Sequence, residues 1–257
     1  MIDKTAIIHP SAKLGSDVSV GPYSIIGAEV EIGAGTWIGP QVVIKGPTKI
    51  GENNKIYQFA SVGEDCQDKK FAGEPTKLEI GNKNVIREGV TIHRGTTQDE
   101  SLTKIGNDNL FMVNSHIAHD CVIGDHNIFG NCTGIAGHVV VEDYVIFSAF
   151  CGVHQFSQIG SHSFISHASM LPKDVPPFLM ITGGSDVSVC GLNVEGLKRR
   201  GFSSDDVLWL RRAYKVIYRQ GNRVVEAIEK LKAMEADNQH IKRFRLFLEN
   251  SKRGIVR

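Results

Sequence analysis

The chain has 257 residues, of which 41 % are hydrophobic and 7 % aromatic, and a formal net charge of +1. No run of 18 apolar residues occurs, so no membrane-spanning helix is expected. The start, Met1-Ile2-Asp3-Lys4-Thr5, lacks the apolar stretch of a secretory signal, and five cysteines without paired spacing read as free thiols; together these point to the cytoplasm.

From Ile2 an aliphatic residue returns at every sixth position, through Ile8, Leu14 and Val20 to Ile56 and Val62. The beat resumes at Ile80, Ile86 and Ile92 and, after one shift, runs from Ile105 to Leu171. A period of six fits neither an α-helix nor a two-sided strand. It is the hexapeptide signature of a parallel β-helix, in which three hexapeptides make one triangular coil. Each short strand then pairs with the coils above and below at about 4.8 Å. Glycine often follows the beat residue, as at Gly15, Gly33 and Gly124, and is expected to relieve the backbone at the corners. The periodicity leaves the hand of the coil open.

Two polar interruptions, near 64–77 and 94–104, read as loops extruded from the solenoid, where function concentrates. The beat is expected to stop at Leu171-Pro172. Pro176-Pro177 and Gly183-Gly184 then mark a boundary, and from about Val194 the period turns helical. Ser203, Ser204 or Asp205 is placed to cap a helix bearing Val207, Leu210, Tyr214, Ile217 and Tyr218 on one face, with further helices near 223–236 and 238–251. The expectation is a mainly β chain: a hexapeptide β-helix over 1–190 and a C-terminal α-helical cap over 191–257. That cap carries 16 Lys and Arg against 8 Asp and Glu, whereas the rest carries 13 against 20. A basic end on an acidic rod suits an anionic partner, or a merely solvated helical face. No nucleic acid is expected.

Ten histidines are many for this length. Ile117, Ile135 and Val153 are eighteen apart and so stack on three successive coils. His119, His138 and His154 follow them closely, and His116 precedes Ile117. If the second interruption adds seven residues, His93 joins the column. Such a column suits either a metal site or general-base catalysis. Asp120 beside His119 could orient the imidazole, but neighbours in a strand point to opposite faces, so it would help only from a bend or across a subunit contact. Cys121 reads as a small buried thiol rather than a nucleophile. Lys198-Arg199-Arg200 could hold a pyrophosphate or be solvated.

Seven segments carry a family resemblance. They are Ile56-Tyr57-Gln58-Phe59-Ala60-Ser61, Ala72-Gly73-Glu74-Pro75-Thr76, Thr91-Ile92-His93-Arg94-Gly95-Thr96, His116-Ile117-Ala118-His119-Asp120-Cys121, Ala136-Gly137-His138-Val139, Val153-His154-Gln155-Phe156 and the run from Asn193 to Phe202. Through them the whole chain resembles the UDP-N-acetylglucosamine acyltransferases of lipid A assembly. The resemblance implies a left-handed β-helix and a homotrimer with sites between subunits. It implies transfer of a 3-hydroxyacyl chain from acyl carrier protein to the glucosamine 3-hydroxyl of UDP-N-acetylglucosamine, without cofactor or metal.

By the same resemblance His119 is the general base, Asp120 its partner, and Gly137 the residue whose N–H faces the oxyanion. His93, His116 and His138 surround the acceptor sugar, and Gln67, Asp68 and Lys70 contact substrate from the first loop. His154 and Gln155 lie farther along the path, and Asn193, Glu195, Arg199 and Arg200 form the nucleotide end. Departures are Lys69, Gly183-Gly184-Ser185-Asp186, and Ser166-His167 where a Gly-Gly pair is familiar; His167 is therefore expected to limit acyl-chain length. A metal-dependent β-helix hydratase of the carbonic anhydrase kind and a non-catalytic scaffold are the alternatives.

Overall fold

The computed structural model describes residues 1–257, the side chain of residue 237 excepted. Its strands form three sheets, the faces of a triangular prism wound as a left-handed parallel β-helix. Face one runs from Ile7–Ile8 to Met170–Leu171, face two from Lys13–Leu14 to Gln158–Ile159, and face three from Ser19–Val20 to Val189–Leu192. The six-residue beat supplies the interior. From Val20 to Leu171 the beat residues are buried, whereas Ile2 is 51 % exposed because no coil lies beneath it. Each buried Ile or Val contributes about 1.5–3 kcal/mol. Phe111, Phe129 and Phe147 stack along face three, with centroids 4.8 and 5.2 Å apart.

Register survives both interruptions. Val62 pairs with Ile92, and Ile92 with Ile117, so the loops add twelve and seven residues to the eighteen-residue coil. A buried asparagine ladder holds the coils together across them: Asn54 Oδ1 accepts Asn84 N–H at 2.8 Å, Asn84 Oδ1 accepts Asn109 N–H at 3.0 Å, and Asn109 Oδ1 accepts Asn127 N–H at 2.8 Å. The chain leaves the sheets between Glu64 and Lys77 and between His93 and Leu102. The second loop thus ends earlier than expected, because Leu102–Ile105 pairs along Lys77–Ile80.

One sequence reading needs correction. Gly63 apart, the glycines after the beat do not serve a left-handed backbone; that conformation falls three residues after the beat, usually on other residues such as Asp17, Tyr23 and Phe59. Glycine is there because coils approach closely: a Cβ on Gly15 would lie 2.7 Å from Ala34 N, and one on Gly33 2.6 Å from the Gly51 carbonyl carbon. The six-residue beat breaks after Leu171, but the solenoid runs on toward 190, as the sequence reading has it. Val175 pairs with Ile159 and Ile181 with Ile165, so another partial coil follows, its first corner shortened by two residues at Pro172.

Leu179–Ile181 then takes Val189–Leu192 as an antiparallel neighbour, and four helices follow: α1 (Val194–Arg199), α2 (Ser204–Tyr218), α3 (Val224–Met234) and α4 (Gln239–Asn250). Ser203 caps α2 in a reciprocal box with Asp206. Phe178 packs on Phe202 and Phe244 of this layer, which covers the last coil.

Candidate active site

The sequence's histidine column lies on face one and on the corner between faces one and two. His116 opens a strand whose outward position continues in register as Gly134, Gly152 and Met170. The two glycines leave a bare trough above His116. The result is a cleft of about 790 Å³, lined among others by Gln67, Asp68, His93, His116, His119, Gly137, His154 and Gln155. It spans five neighbouring strands of face one, about 19 Å at ordinary strand spacing.

His119 and Asp120 occupy the corner. Asp120 has a φ of +57°, so the chain bends there and the adjacent side chains meet: His119 Nδ1 lies 2.8 Å from Asp120 Oδ2. The bend is one of the two conditions under which the sequence allowed this pairing. Asp120 is buried, and burial alone would raise its carboxyl. Hydrogen bonds from His119 and Thr96 and the nearby His138 outweigh that and hold it below the ordinary carboxylate range. An ionised carboxylate only accepts, so Nδ1 of His119 carries a proton in this bond, and the tautomer this selects leaves the lone pair on Nε2. Next to that ring is Gly137, where a Cβ would fall 2.6 Å from His119 Nε2. The Gly137 N–H has no acceptor among the described residues.

His138 stacks on Phe156 at 4.4 Å; its Nδ1 meets Asp99 Oδ2 at 2.9 Å and its Nε2 lies 3.7 Å from Asp120. His93 and His116 meet edge to face at 4.8 Å, and His116 Nδ1 bonds the Thr91 hydroxyl at 2.7 Å. Burial and then the neighbouring His116 push His93 down to about 4, and burial also lowers His116. Both are therefore neutral at pH 7 and offer hydrogen bonds to a polar, uncharged ligand rather than a cationic patch. Burial drives the Cys121 thiol up to about 12, and its S–H donates to Ala136 O, which leaves it inert.

His119, Asp120 and His138 place one donor atom each within 4.8 Å, a spacing that could hold a metal. Their hydrogen bonds argue for another use. Both Asp120 oxygens accept bonds from Thr96, at 2.8 and 2.6 Å, and one ring nitrogen each of His119 and His138 already faces a carboxylate.

The remaining expected residues divide. Gln67 and Asp68 line the cleft; Lys70 is exposed outside it, though its N–H donates to Asp68 Oδ1 at 2.9 Å. Asn193, Glu195, Arg199 and Arg200 do not reach the cleft in one chain. They sit by the corner between faces two and three, where Arg200 lies over the Tyr144 ring at 5.2 Å. Asn193 is spent on structure, since its Oδ1 accepts Gly196 N–H and its Nδ2 donates to His162 O. Glu195 is exposed and faces Lys198 at 3.5 Å. His167 is exposed at the corner between faces three and one and does not line the cleft; Met170 does, over Gly152. Thr96, Asp99 and Met170 had no assigned role in the sequence. Only Met170 had a usable signal, being eighteen residues after Gly152.

A family profile described as Udp N-acetylglucosamine O-acyltransferase, domain 2, matches residues 174–256. Another, bacterial transferase hexapeptide, matches 29–62 and 102–137. The acyl-acyl-carrier-protein–UDP-N-acetylglucosamine O-acyltransferase of Pseudomonas aeruginosa is 57 % identical over 257 residues, covering 100 % of this chain and 99 % of the relative. The chain belongs to the UDP-N-acetylglucosamine O-acyltransferase family. Among solved structures, LpxA from Acinetobacter baumannii superimposes with a TM-score of 0.98 at 52 % identity, covering 100 % of this chain and 99 % of that one. The UDP-N-acetylglucosamine O-acyltransferase of Moraxella catarrhalis gives 0.97 at 46 %, with the same coverage.

Proposed function

We propose that this enzyme transfers a 3-hydroxyacyl chain from acyl carrier protein to the 3-hydroxyl of the glucosamine in UDP-N-acetylglucosamine, the first step of lipid A biosynthesis. The observation that carries this is the buried His119–Asp120 pair, whose Nε2 stands beside an unoccupied N–H in a long cleft, in a chain 57 % identical to relatives named for this reaction.

A thioester needs no covalent enzyme intermediate, but a sugar hydroxyl is protonated at neutral pH. His119 Nε2 takes that proton as the hydroxyl oxygen attacks the thioester carbon, a contribution of about 10²–10⁴ in rate. The carbonyl oxygen becomes an oxyanion, to which the Gly137 N–H donates, worth about 3 kcal/mol. Collapse expels the carrier thiolate, which takes the proton from His119. His93, His116 and His138 hold the sugar, Gln67, Asp68 and Lys70 the substrate rim, and the trough past His154 and Gln155 the acyl chain.

The enzyme works as a homotrimer in the cytoplasm, without cofactor. Arg199 and Arg200 lie on a different edge of the prism from His119, so a neighbouring copy brings them, with Asn193 and Glu195 shaping that end, to the diphosphate. The basic helical layer receives the acidic carrier.

The test is incubation with UDP-N-acetylglucosamine and hydroxyacyl carrier proteins of graded length, with product identified by mass. His119→Ala should lower turnover about 10²–10⁴-fold, and exhaustive chelation should leave the wild type active. More than a tenth of wild-type turnover in the variant, or zinc-restored activity after chelation, would assign the chemistry elsewhere.

A further inference from the structure

The loop between His93 and Leu102 closes over Asp120. Thr96, 3 % exposed, donates its N–H to Asp120 Oδ1 at 2.8 Å and its hydroxyl to Oδ2 at 2.6 Å. Past the loop, the Thr103 hydroxyl accepts the Asp120 N–H at 2.8 Å. The loop runs so close that a Cβ on Gly95 would fall 2.8 Å from Asp120 Oδ1.

A carboxylate held by one bond to an imidazole can spin about its own axis. Two donors from one residue, one on each oxygen, fix its plane and leave Oδ2 aimed at His119 Nδ1. The left-handed backbone that brings Asp120 round to His119 is the regular corner conformation of the repeat, and the Thr103 hydroxyl satisfies the Asp120 N–H there.

We infer that Thr96 is a positioning residue for the reaction, fixing the Asp120 carboxylate so that it holds the His119 imidazole with Nε2 toward the acceptor hydroxyl. This rests on the reading of His119 as general base. Thr96 touches neither substrate nor reacting atoms; it acts through Asp120, where the chemistry tolerates little displacement. A misplacement of about 1 Å costs roughly a hundredfold in such a site.

The experiment compares full-length Thr96→Val, Thr96→Ala and Thr96→Ser with wild type in steady-state kinetics and in proton NMR of the His119 Nδ1–H. The valine and alanine variants should lose about ten- to a hundredfold in kcat, with KM for UDP-N-acetylglucosamine unchanged within about twofold. Serine, which keeps the hydroxyl, should recover most of the turnover. The far-downfield Nδ1–H signal should persist in serine and broaden or vanish in the other two. Wild-type kcat in both valine and alanine overturns the inference. So does a serine variant as poor as alanine, or a loss in which KM and thermal stability fall together with kcat while the Nδ1–H signal stays. His119→Ala runs alongside: if it stays active, the base assignment has failed; if it is dead while Thr96→Val is unaffected, the role of Thr96 alone has failed.

Discussion

Replacing Gly137 by alanine puts a methyl carbon 2.5 Å from His119 Cε1 and 2.6 Å from Nε2. Ordinary contact begins at 3.4 Å, so the ring must retreat by about 0.9 Å. It has little room, because its Nδ1, only 3.1 Å from that methyl, is tied to Asp120 Oδ2 at 2.8 Å. Retreat therefore either stretches that hydrogen bond or turns Nε2 off its target. The backbone itself tolerates alanine, since Gly137 is not among the positive-φ residues. We expect a folded enzyme with a melting temperature near wild type, a kcat lower by about a hundredfold, and little change in acceptor KM. The Gly137 N–H survives in the variant, so the loss reports on His119 and not on the oxyanion donor. A double-mutant cycle separates the two. With His119 already alanine there is no ring to displace, and adding Gly137→Ala should change the residual rate by less than about threefold. An equal hundredfold loss in both backgrounds would refute the steric argument, as would more than half of wild-type turnover in the single variant.

Arg200→Ala should weaken UDP-N-acetylglucosamine binding by about 1.5–3 kcal/mol in calorimetry, while Arg199→Ala, exposed in one chain, should cost less than about 1 kcal/mol; unchanged affinity in both would return this cluster to a solvated helix end. Met170→Gly should shift the donor-length profile toward longer chains, each methylene adding about 0.8 kcal/mol, and His167→Gly should do so only through a neighbouring copy; identical profiles would remove both from chain measurement. His162, held down to about 3 by burial and then by Arg200, Arg243 and His240, stays neutral in the fold while an unfolded chain protonates it near 6.5. Stability present at neutral pH is therefore lost as pH falls from about 6.5 toward 3, and His162→Phe, which keeps the stack on Tyr144 and Phe178, should flatten the fall in melting temperature across pH 6.5 to 4; an unaltered slope would refute it.

The column of histidines was legible because a solenoid has a ruler. Eighteen residues return the chain to the same face one strand spacing higher, so His119, His138 and His154 could be stacked by counting. The ruler fails where the backbone leaves the coil. Thr96 sits in a motif that the sequence displays, yet its meeting with Asp120 depends on how an eight-residue loop folds back, which no period records. His167 lay on the expected coil, but corner side chains point outward and counting does not give their direction. The nucleotide-end residues fall on another edge for a different reason: in the proposed trimer a prism would present each corner to a different neighbour, so residues far apart in one chain would share one site between two. The glycines were misread because a six-residue rhythm shows where glycine recurs and not which atom it avoids.

The placement of the chemistry follows from where a stacked prism accepts extra chain. Both loops leave at the same corner, after face one, on successive coils, and the next coil puts His119 and Asp120 at that corner, followed by His138 and Phe156. Inserting residues there displaces no interior side chain, since the Asn54–Asn84–Asn109 ladder at another corner keeps the coils bonded across thirty and then twenty-five residues. Buried Arg94 ties the loops together through the Gly63 carbonyl and Asp65. The repeat thus supplies rigid turn residues, and the loops supply donors. A carboxylate clamped by Thr96 and bonded to His119 needs both contributions. Neither a bare repeat nor a loop on a mobile scaffold would hold an imidazole nitrogen steady against the hydroxyl whose proton we propose it takes.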